Sequence, residues 1–575
     1  MSKRNPEQLR SHRWFGGDPF SIEHTGHALQ AGFAREEFEG RAVIGIINTW
    51  SDLNPCHAHL RERAQAVKRG VWQAGGFPVE LPAMSLGEGY VKPTTMLYRN
   101  FLAMETEELL RCHPVDGAIL LGGCDKTTPG LLMGAISMNL PTIYCPAGFT
   151  MAAEFRGERL GSGTGAFRWA GDLVTGKLPL EDWRLIEQRT WSSPGTCNTM
   201  GTASTMTALA EVLGFSLTGA SSVPAMDSRG HQMAAAAGRR IVEMVWQDIK
   251  PSDVLSTTSF DNAAKVSVAL GGSTNAAIHL IALARRAGAD FGLDDFDRVG
   301  RQVPVLANVQ PSGEYLMQDF ANAGGLPALM TRLTDLLDLG CQTASGDTID
   351  DAIAGARVEN DDIIRPVDNP VATEALAVLR GNLAPDGCVI KPSASSKELQ
   401  THRGRAVVFT DAHDLQQRIH DPDLEVEAGS VLVLRNAGPL GGPGMAENGM
   451  LPIPAKLLRQ GVRDMVRISD ARMSGTSFGT CVLHISPESF VGGPLALVQD
   501  GDEIELDVPN RRITLRVDEV ELGKRRQAWK APPPRYQRGW GLLFSQHVGQ
   551  AHEGCDFDLL ASRESTPEPA IHRKV

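Results

Sequence analysis

Three cysteines of this chain stand in turns built to one pattern, and that recurrence restricts the fold more than any other feature. Asp116 to Leu121 is a short apolar run that reads as a buried strand. It leads into Gly122-Gly123-Cys124-Asp125-Lys126-Thr127-Thr128-Pro129-Gly130, where Thr128 and Pro129 read as the N-cap and first position of a helix continuing through Leu132, Ile136 and Met138. The apolar run from Arg41 to Asn48 leads likewise into Ser51-Asp52-Leu53-Asn54-Pro55-Cys56 and a helix with Leu60, Ala64, Val67 and Val71 on one face. Asn54 and Pro55, as cap and first-turn residues, place Cys56 in the first turn of that helix. Cys197 stands in the Gly- and Thr-rich stretch Gly195 to Met206, which enters a helix over Thr207 to Leu213. Repeated strand-turn-helix junctions imply an α/β domain with a parallel sheet, whose ligands bind at the carboxyl ends of the strands. Helix N-terminal amides favour the thiolate that metals bind, so the three turns predict one shared site.

Simpler explanations fit one such turn but not three. A Walker phosphate loop needs Gly directly before the Lys-Thr pair, and Asp125 occupies that place. A buried structural cysteine beside a solvated Asp-Lys pair would account for Cys124 alone. Nine cysteines in 575 residues, with no C-x-x-C and no H-E-x-x-H, exclude a zinc ribbon, a zincin and a disulfide framework, so a Cys-ligated metal must draw on residues distant in sequence. Cys112, Cys145, Cys341, Cys388, Cys481 and Cys555 lack the turn context and read as small core residues.

Composition sets the outer limits. The length allows roughly two to four domains. A formal net charge of -12 argues against a nucleic-acid partner, and no run approaches the roughly 18 apolar residues of a membrane span. Met1 to Pro6 carries charge with no apolar stretch behind it, which does not read as a secretory signal, so a cytoplasmic location is expected. Trp14, Phe15 and Phe20 are expected to pack onto the body, and Ser562 to Val575 reads as a disordered polar tail.

Near residue 375 the pattern changes from helices to short strands, among them Cys388-Val389-Ile390, Ala406 to Phe409, Val431 to Leu434 and the hairpin-like Glu503 to Val517. The predicted organisation is an α/β domain over residues 1–375 and a β-rich, barrel-like domain over 376–575. Several loops present polar groups. Gly87-Glu88-Gly89 carries a lone carboxylate, and Gly161 to Gly165 is a glycine cluster able to wrap an anion. Gly438 to Glu447 carries another carboxylate, and Ser469 to Gly479 carries Ser474, Thr476 and Ser477. Gly475 to Gly479 matches the G-x-S-x-G nucleophile elbow with Ser477 as nucleophile, but the elbow requires a following helix and the β-branched Thr480-Cys481-Val482-Leu483 follows instead.

Taken in order, the Pro55-Cys56 turn, Gly123 to Thr127, Cys197 to Ala203, Gly441 to Met445 and Arg472 to Gly475 resemble the motifs of the dihydroxy-acid and sugar-acid dehydratases. Ser85 to Glu88 and the ending Gln550 to Asp558 resemble its pentonate branch, of the L-arabinonate dehydratase type. The resemblance implies an iron-sulfur dehydratase, a homodimer or homotetramer, with its site where domains and subunits meet. Carried over by motif, Cys56, Cys124 and Cys197 would hold a [2Fe-2S] cluster, while Glu88, Asp125, Lys126 as a carbamate, and Glu447 would hold Mg2+. Ser474 would be the catalytic base, with Thr476 assisting and Lys126 as the alternative proton acceptor. His57, where relatives usually carry Asn, and Cys145 to Phe149, where Ser-Gly-Gly-Pro is usual, depart from the pattern beside the implied site.

The chemistry such a family performs suits these donors. Removing water from a 2,3-dihydroxy acid means taking a weakly acidic C2 proton and expelling hydroxide from C3, for which a hard cation on oxygen ligands and an iron with an open position are appropriate Lewis acids. The implied product is a 2-keto-3-deoxy acid. Two rivals remain: the dihydroxy-acid dehydratase of branched-chain amino-acid synthesis, and a non-catalytic iron-sulfur carrier, which would have no use for the oxygen-ligand loops.

Overall fold

The computed structural model describes residues 4–16, 21–561 and 566–571. Its first sheet is formed by β1 (Val43–Asn48), β2 (Phe77–Pro82), β3 (Gly117–Gly122) and β4 (Thr142–Pro146) in the order β2-β1-β3-β4, every pair parallel. β1 and β3 are buried along their whole length because helices cover both faces, which is why they read as unbroken apolar runs. Ile44 and Ile46 turn to a core with Leu60, Val67 and Val71 of the helix Leu60–Gln73 and Ile241 of the helix Ser228–Gln247. Val43 and Ile47 turn to the opposite core with Leu102 and Leu131, from the helices Met96–Cys112 and Thr127–Met138. Parallel strands put their carboxyl ends on one edge, so the segments after β1, β2 and β3 all emerge together.

A small hairpin of β5 (Ala153–Phe155) and β6 (Glu158–Leu160) follows. Beyond it helices predominate until eight strands close a barrel in the order β10-β11-β12-β8-β7-β14-β13-β9. These are β7 (Ala377–Gly381), β8 (Ala384–Ile390), β9 (Thr401–Phe409), β10 (Val431–Leu434), β11 (Arg467–Ser469), β12 (Cys481–Ser486), β13 (Glu503–Asp507) and β14 (Arg512–Leu515). Its interior is filled by Ile390, Val433, Ile468, Val482 and Ile504, so it is a packed core rather than a pore. Val389 and Leu483, pointing outward, join the core of the parallel-sheet region, which presses this side of the barrel against it. An α/β fold with a parallel sheet followed by a β-barrel is what the alternating and then strand-rich pattern predicts.

Several local expectations shift. The helix after Cys56 begins only at Leu60, because residues 55–59 form turns first. Lys126, not Thr128, is the N-cap of the helix Thr127–Met138. The helix after Cys197 begins at Thr202 rather than Thr207 and is buried on every side, so its small residues carry no amphipathic signal. Trp14 is buried and the Phe15 ring lies 5.1 Å from that of Phe38, while Phe20 lies outside the described residues. Of the expected tail, residues 562–565 and 572–575 also lie outside them, but Glu568 pairs with Arg10 at 2.8 Å and Arg13 at 2.7 Å, so the stretch between is docked on the N-terminal segment.

Candidate active site

The cysteines and carboxylates singled out in the sequence arrive at the carboxyl edge of the parallel sheet. After β3 the chain turns sharply, and Cys124 takes a left-handed backbone (φ 61°), a conformation that a non-glycine residue holds only when its surroundings enforce it. The Cys124 thiol acts directly on that of Cys56, and Cys197 and Asp125 lie in the same electrostatic neighbourhood. Contact with Cys124 and then burial push the Cys56 thiol well up, and burial followed by Asp125 pushes Cys197 up to about 12. The helix-derived lowering expected for these thiols is therefore overridden: Cys56 and Cys197 stand four and five residues short of their helices. A buried Cys124 between half-buried Cys56 and Cys197, the last two opposed in their ionisation by their neighbours, suits a site whose charge is completed by a bound cationic group.

Next to them is a cluster of oxygen donors around one point. Lys126 Nζ, fully buried, lies 3.0 Å from Asp125 Oδ2, 3.0 Å from Glu447 Oε1 and 3.2 Å from Glu88 Oε2. Glu447 comes from the loop after β10, so this cluster ties the barrel to the sheet. Arg472, also fully buried, donates to Glu447 Oε1 at 3.0 Å and to Thr94 Oγ1 at 3.1 Å. Thr94 Oγ1 in turn donates to Glu88 Oε1 at 2.8 Å, and the Thr95 hydroxyl donates to Glu88 Oε2.

Burial alone would raise Glu88, but Lys126 and Arg472 overcome it and hold the carboxyl down to about 2. Burial and Arg472 both press the Lys126 ammonium to lose its proton, yet the three carboxylates outweigh them and its pKa is raised. Glu447 is raised, chiefly by burial. Among the described residues no three His, Cys, Asp or Glu side chains are spaced to hold an ion as they stand. In the oxygen cluster the point they share is filled by the ammonium. Asp125 and Glu447 both act on Cys197, so the thiol and carboxylate sets adjoin.

Ser474 and Thr476 lie on the loop between β11 and β12, their hydroxyls 2.9 Å apart. The loop is seated by Thr164, whose hydroxyl donates to Thr476 O at 2.6 Å, and by Asn275, whose amide donates to Met473 O at 3.0 Å. Arg472, two residues before Ser474, links this loop to Glu447. No hydrogen bond or ion pair among the described residues joins Ser474 itself to the carboxylates. Ser477 is buried and leads into β12 rather than a helix, so the hydrolase elbow is excluded.

The glycine cluster finds its use here. Gly163 has φ 89°, and a methyl group on it would overlap Thr476 Oγ1. Gly163→Ala should therefore cost about 1 kcal/mol of backbone strain or more and displace Thr476. A fall in turnover of tenfold or more with unchanged iron content is the expected result, and wild-type kinetics would show that the loop is not seated this way.

Sequence reasoning missed the inner supports. Thr94 and Thr95 bind Glu88 from positions whose spacing gives no signal, and Arg472, which binds Glu447, stood out only as part of a motif with no role assigned. His57 was noted only as a departure. It is fully buried, accepts the Gly123 N–H at Nε2 (3.0 Å) and has Nδ1 3.0 Å from Thr49 O, so it joins the turns bearing Cys56 and Cys124. Burial lowers its pKa to about 4 against the opposing pull of these two contacts, so the ring is neutral with its proton on Nδ1.

Residues 41–352 match the dihydroxy-acid/6-phosphogluconate dehydratase N-terminal model and residues 362–555 the corresponding C-terminal model. The chain belongs to the dihydroxy-acid/6-phosphogluconate dehydratase family and is an enzyme of the hydro-lyase class. It is 54% identical to a 6-deoxy-6-sulfo-D-gluconate dehydratase of Pseudomonas putida over 98% of this chain and 99% of that one. It is 49% identical to an L-arabinonate dehydratase of Rhizobium leguminosarum bv. trifolii over 96% of each, and 39% identical to a dihydroxy-acid dehydratase of Clostridium novyi over 92% and 97%.

Proposed function

We propose that the chain dehydrates an aldonate of the L-arabinonate type, removing the C2 proton and the C3 hydroxyl to give the 2-keto-3-deoxy acid. The observation that carries this reading is the meeting of the Glu88, Asp125 and Glu447 carboxylates within 3.2 Å of the buried Lys126 Nζ, beside the thiols of Cys56, Cys124 and Cys197. Cys56, Cys124 and Cys197 would hold a [2Fe-2S] cluster, and Glu88, Asp125 and Glu447 would hold Mg2+ with Lys126 as a carbamate. The charge balance fits. Three carboxylates now face two cations; converting the Lys126 ammonium to a carbamate makes the site more negative by two, which a divalent ion offsets. Together these groups would supply Lewis acidity at the substrate's carboxylate and hydroxyls. The chain's own residues would orient the acid, keep the site dry and receive the C2 proton, at Ser474 with Thr476 assisting.

The relatives named for sugar acids share more of this sequence than the one named for a dihydroxy acid, which favours the aldonate. A panel of L-arabinonate, other pentonates, D-gluconate, 6-deoxy-6-sulfo-D-gluconate and a branched 2,3-dihydroxy acid, scored for keto-acid with anaerobically purified protein, tests it. A site built to hydrogen-bond several hydroxyls should prefer a sugar acid over the branched acid by on the order of 10⁴ in kcat/KM. Preference for the branched acid would overturn the aldonate reading. Turnover of none, by protein with its full iron content, would place the substrate outside these two classes of acid.

A further inference from the structure

Glu447 reaches the site from a loop of glycines and prolines, residues 438–444, that has little side-chain mass of its own to hold it in place. The far end of the loop is fixed by Met445, fully buried against Met96, Ile278, Ala551 and Cys555. The near end has an ionisable support. Glu488, fully buried just after β12, accepts the Leu440 N–H at 3.0 Å on Oε1 and the Gly441 N–H at 2.9 Å on Oε2. A third donor, Gln550 Nε2, reaches Oε1 at 3.1 Å, and the Glu488 N–H donates to Gln550 Oε1 at 2.9 Å, so the two side chains are joined reciprocally. The loop lies so close that a Cβ on Gly438 would come 2.7 Å from Glu488 Oε2. Gln550 belongs to the segment that also supplies Ala551 and Cys555, so both ends of the loop rest on one platform.

We propose that Glu488 is a positioning residue for the metal site: its carboxylate clamps the 438–444 loop so that Glu447 stands where it can bind the cation. The inference rests on the Mg2+ reading above. A buried carboxylate facing three N–H donors and no cation is expensive unless those donors are held to it, which is why it fixes backbone rather than merely filling space. Burial, then the neighbouring Asp470 carboxylate, push Glu488 up to about 7, so its acceptor role is complete on the alkaline side of neutrality.

Mg2+ titration by calorimetry into chelator-dialysed, cluster-containing protein at pH 8 tests this. In Glu488→Gln one oxygen becomes an NH2, which must face the Gln550 amide, and one donor is left without an acceptor. The expected result is a Kd for Mg2+ raised tenfold or more with iron content unchanged. Adding Gln550→Glu gives the new amide an acceptor and keeps one for the Glu488 position's N–H, so the double variant should recover affinity to within about threefold of wild type. Wild-type affinity in Glu488→Gln overturns the proposal, as does a weakened single variant that the second change fails to rescue. Absence of Mg2+ binding by the wild type overturns the metal reading, and this inference with it.

Discussion

Cys124→Ser protein is expected to be colourless and to retain no iron above background, with turnover reduced by on the order of 10³ or more. The reason is in the turn after β3. Cys124 is held in a left-handed conformation with its thiol on Cys56, so no other side chain can be supplied from that position without rebuilding the turn. A serine hydroxyl ionises far less readily than a thiol and is a poor match for iron. Losing a Lewis acid forfeits several kcal/mol of transition-state stabilisation, and each ~1.4 kcal/mol is tenfold in rate. Cys56→Ser and Cys197→Ser should behave alike, whereas Cys341→Ser, whose thiol takes the Asn262 amide at 3.5 Å, should keep full colour. Full iron in Cys124→Ser, measured with the protein kept anaerobic, would remove the cluster from these residues.

Much of this arrangement was legible because parallel strands buried on both faces leave an unmistakable trace. Val43 to Ile47 and Gly117 to Gly122 are apolar without interruption, and the turns after them must share an edge. The barrel was visible only as a run of short strands. Its closure depends on pairings such as β9 with β13 and β7 with β14, which no local pattern encodes. Helix starts failed where burial is complete, as at Thr202, since a helix covered on every side shows no periodic face. The thiol pKa expectation failed because Cys56 and Cys197 stand short of their helices, and the Cys124 contact at Cys56 and burial at Cys197 dominate instead. Arg472 illustrates the remainder: its partner Thr94 is 378 positions away, and only the assembled seam makes the pair.

Ser474→Ala is expected to retain iron, Mg2+ and substrate binding while product formation falls by 10² to 10⁴, roughly the contribution of a positioned general base. In the present structure the Ser474 hydroxyl is shared with Thr476, an arrangement that would also serve merely to stiffen the loop. A free serine is too weak an acid to be ionised near neutrality, so the basic role depends on the proposed Mg2+, which would lower the pKa of adjacent oxygens by several units. Two features favour that role over stiffening. Ser474 is half-buried where its neighbours from Gly475 to Ser477 are buried, so it is the hydroxyl left open to a small ligand. Arg472, two residues away, grips Glu447, which brings this stretch of the loop to the carboxylates. The loop's seating on Thr164 and Asn275 does not involve Ser474 Oγ, so the alanine variant should fold and bind as before. Exchange of the substrate's C2 hydrogen with solvent, where the wild type shows it, should disappear in Ser474→Ala, and Ser477→Ala should stay within a few fold of wild type. If Ser474→Ala instead turns over 2-deuterated substrate at the wild-type rate, proton abstraction belongs to another group, and Lys126 becomes the one to test.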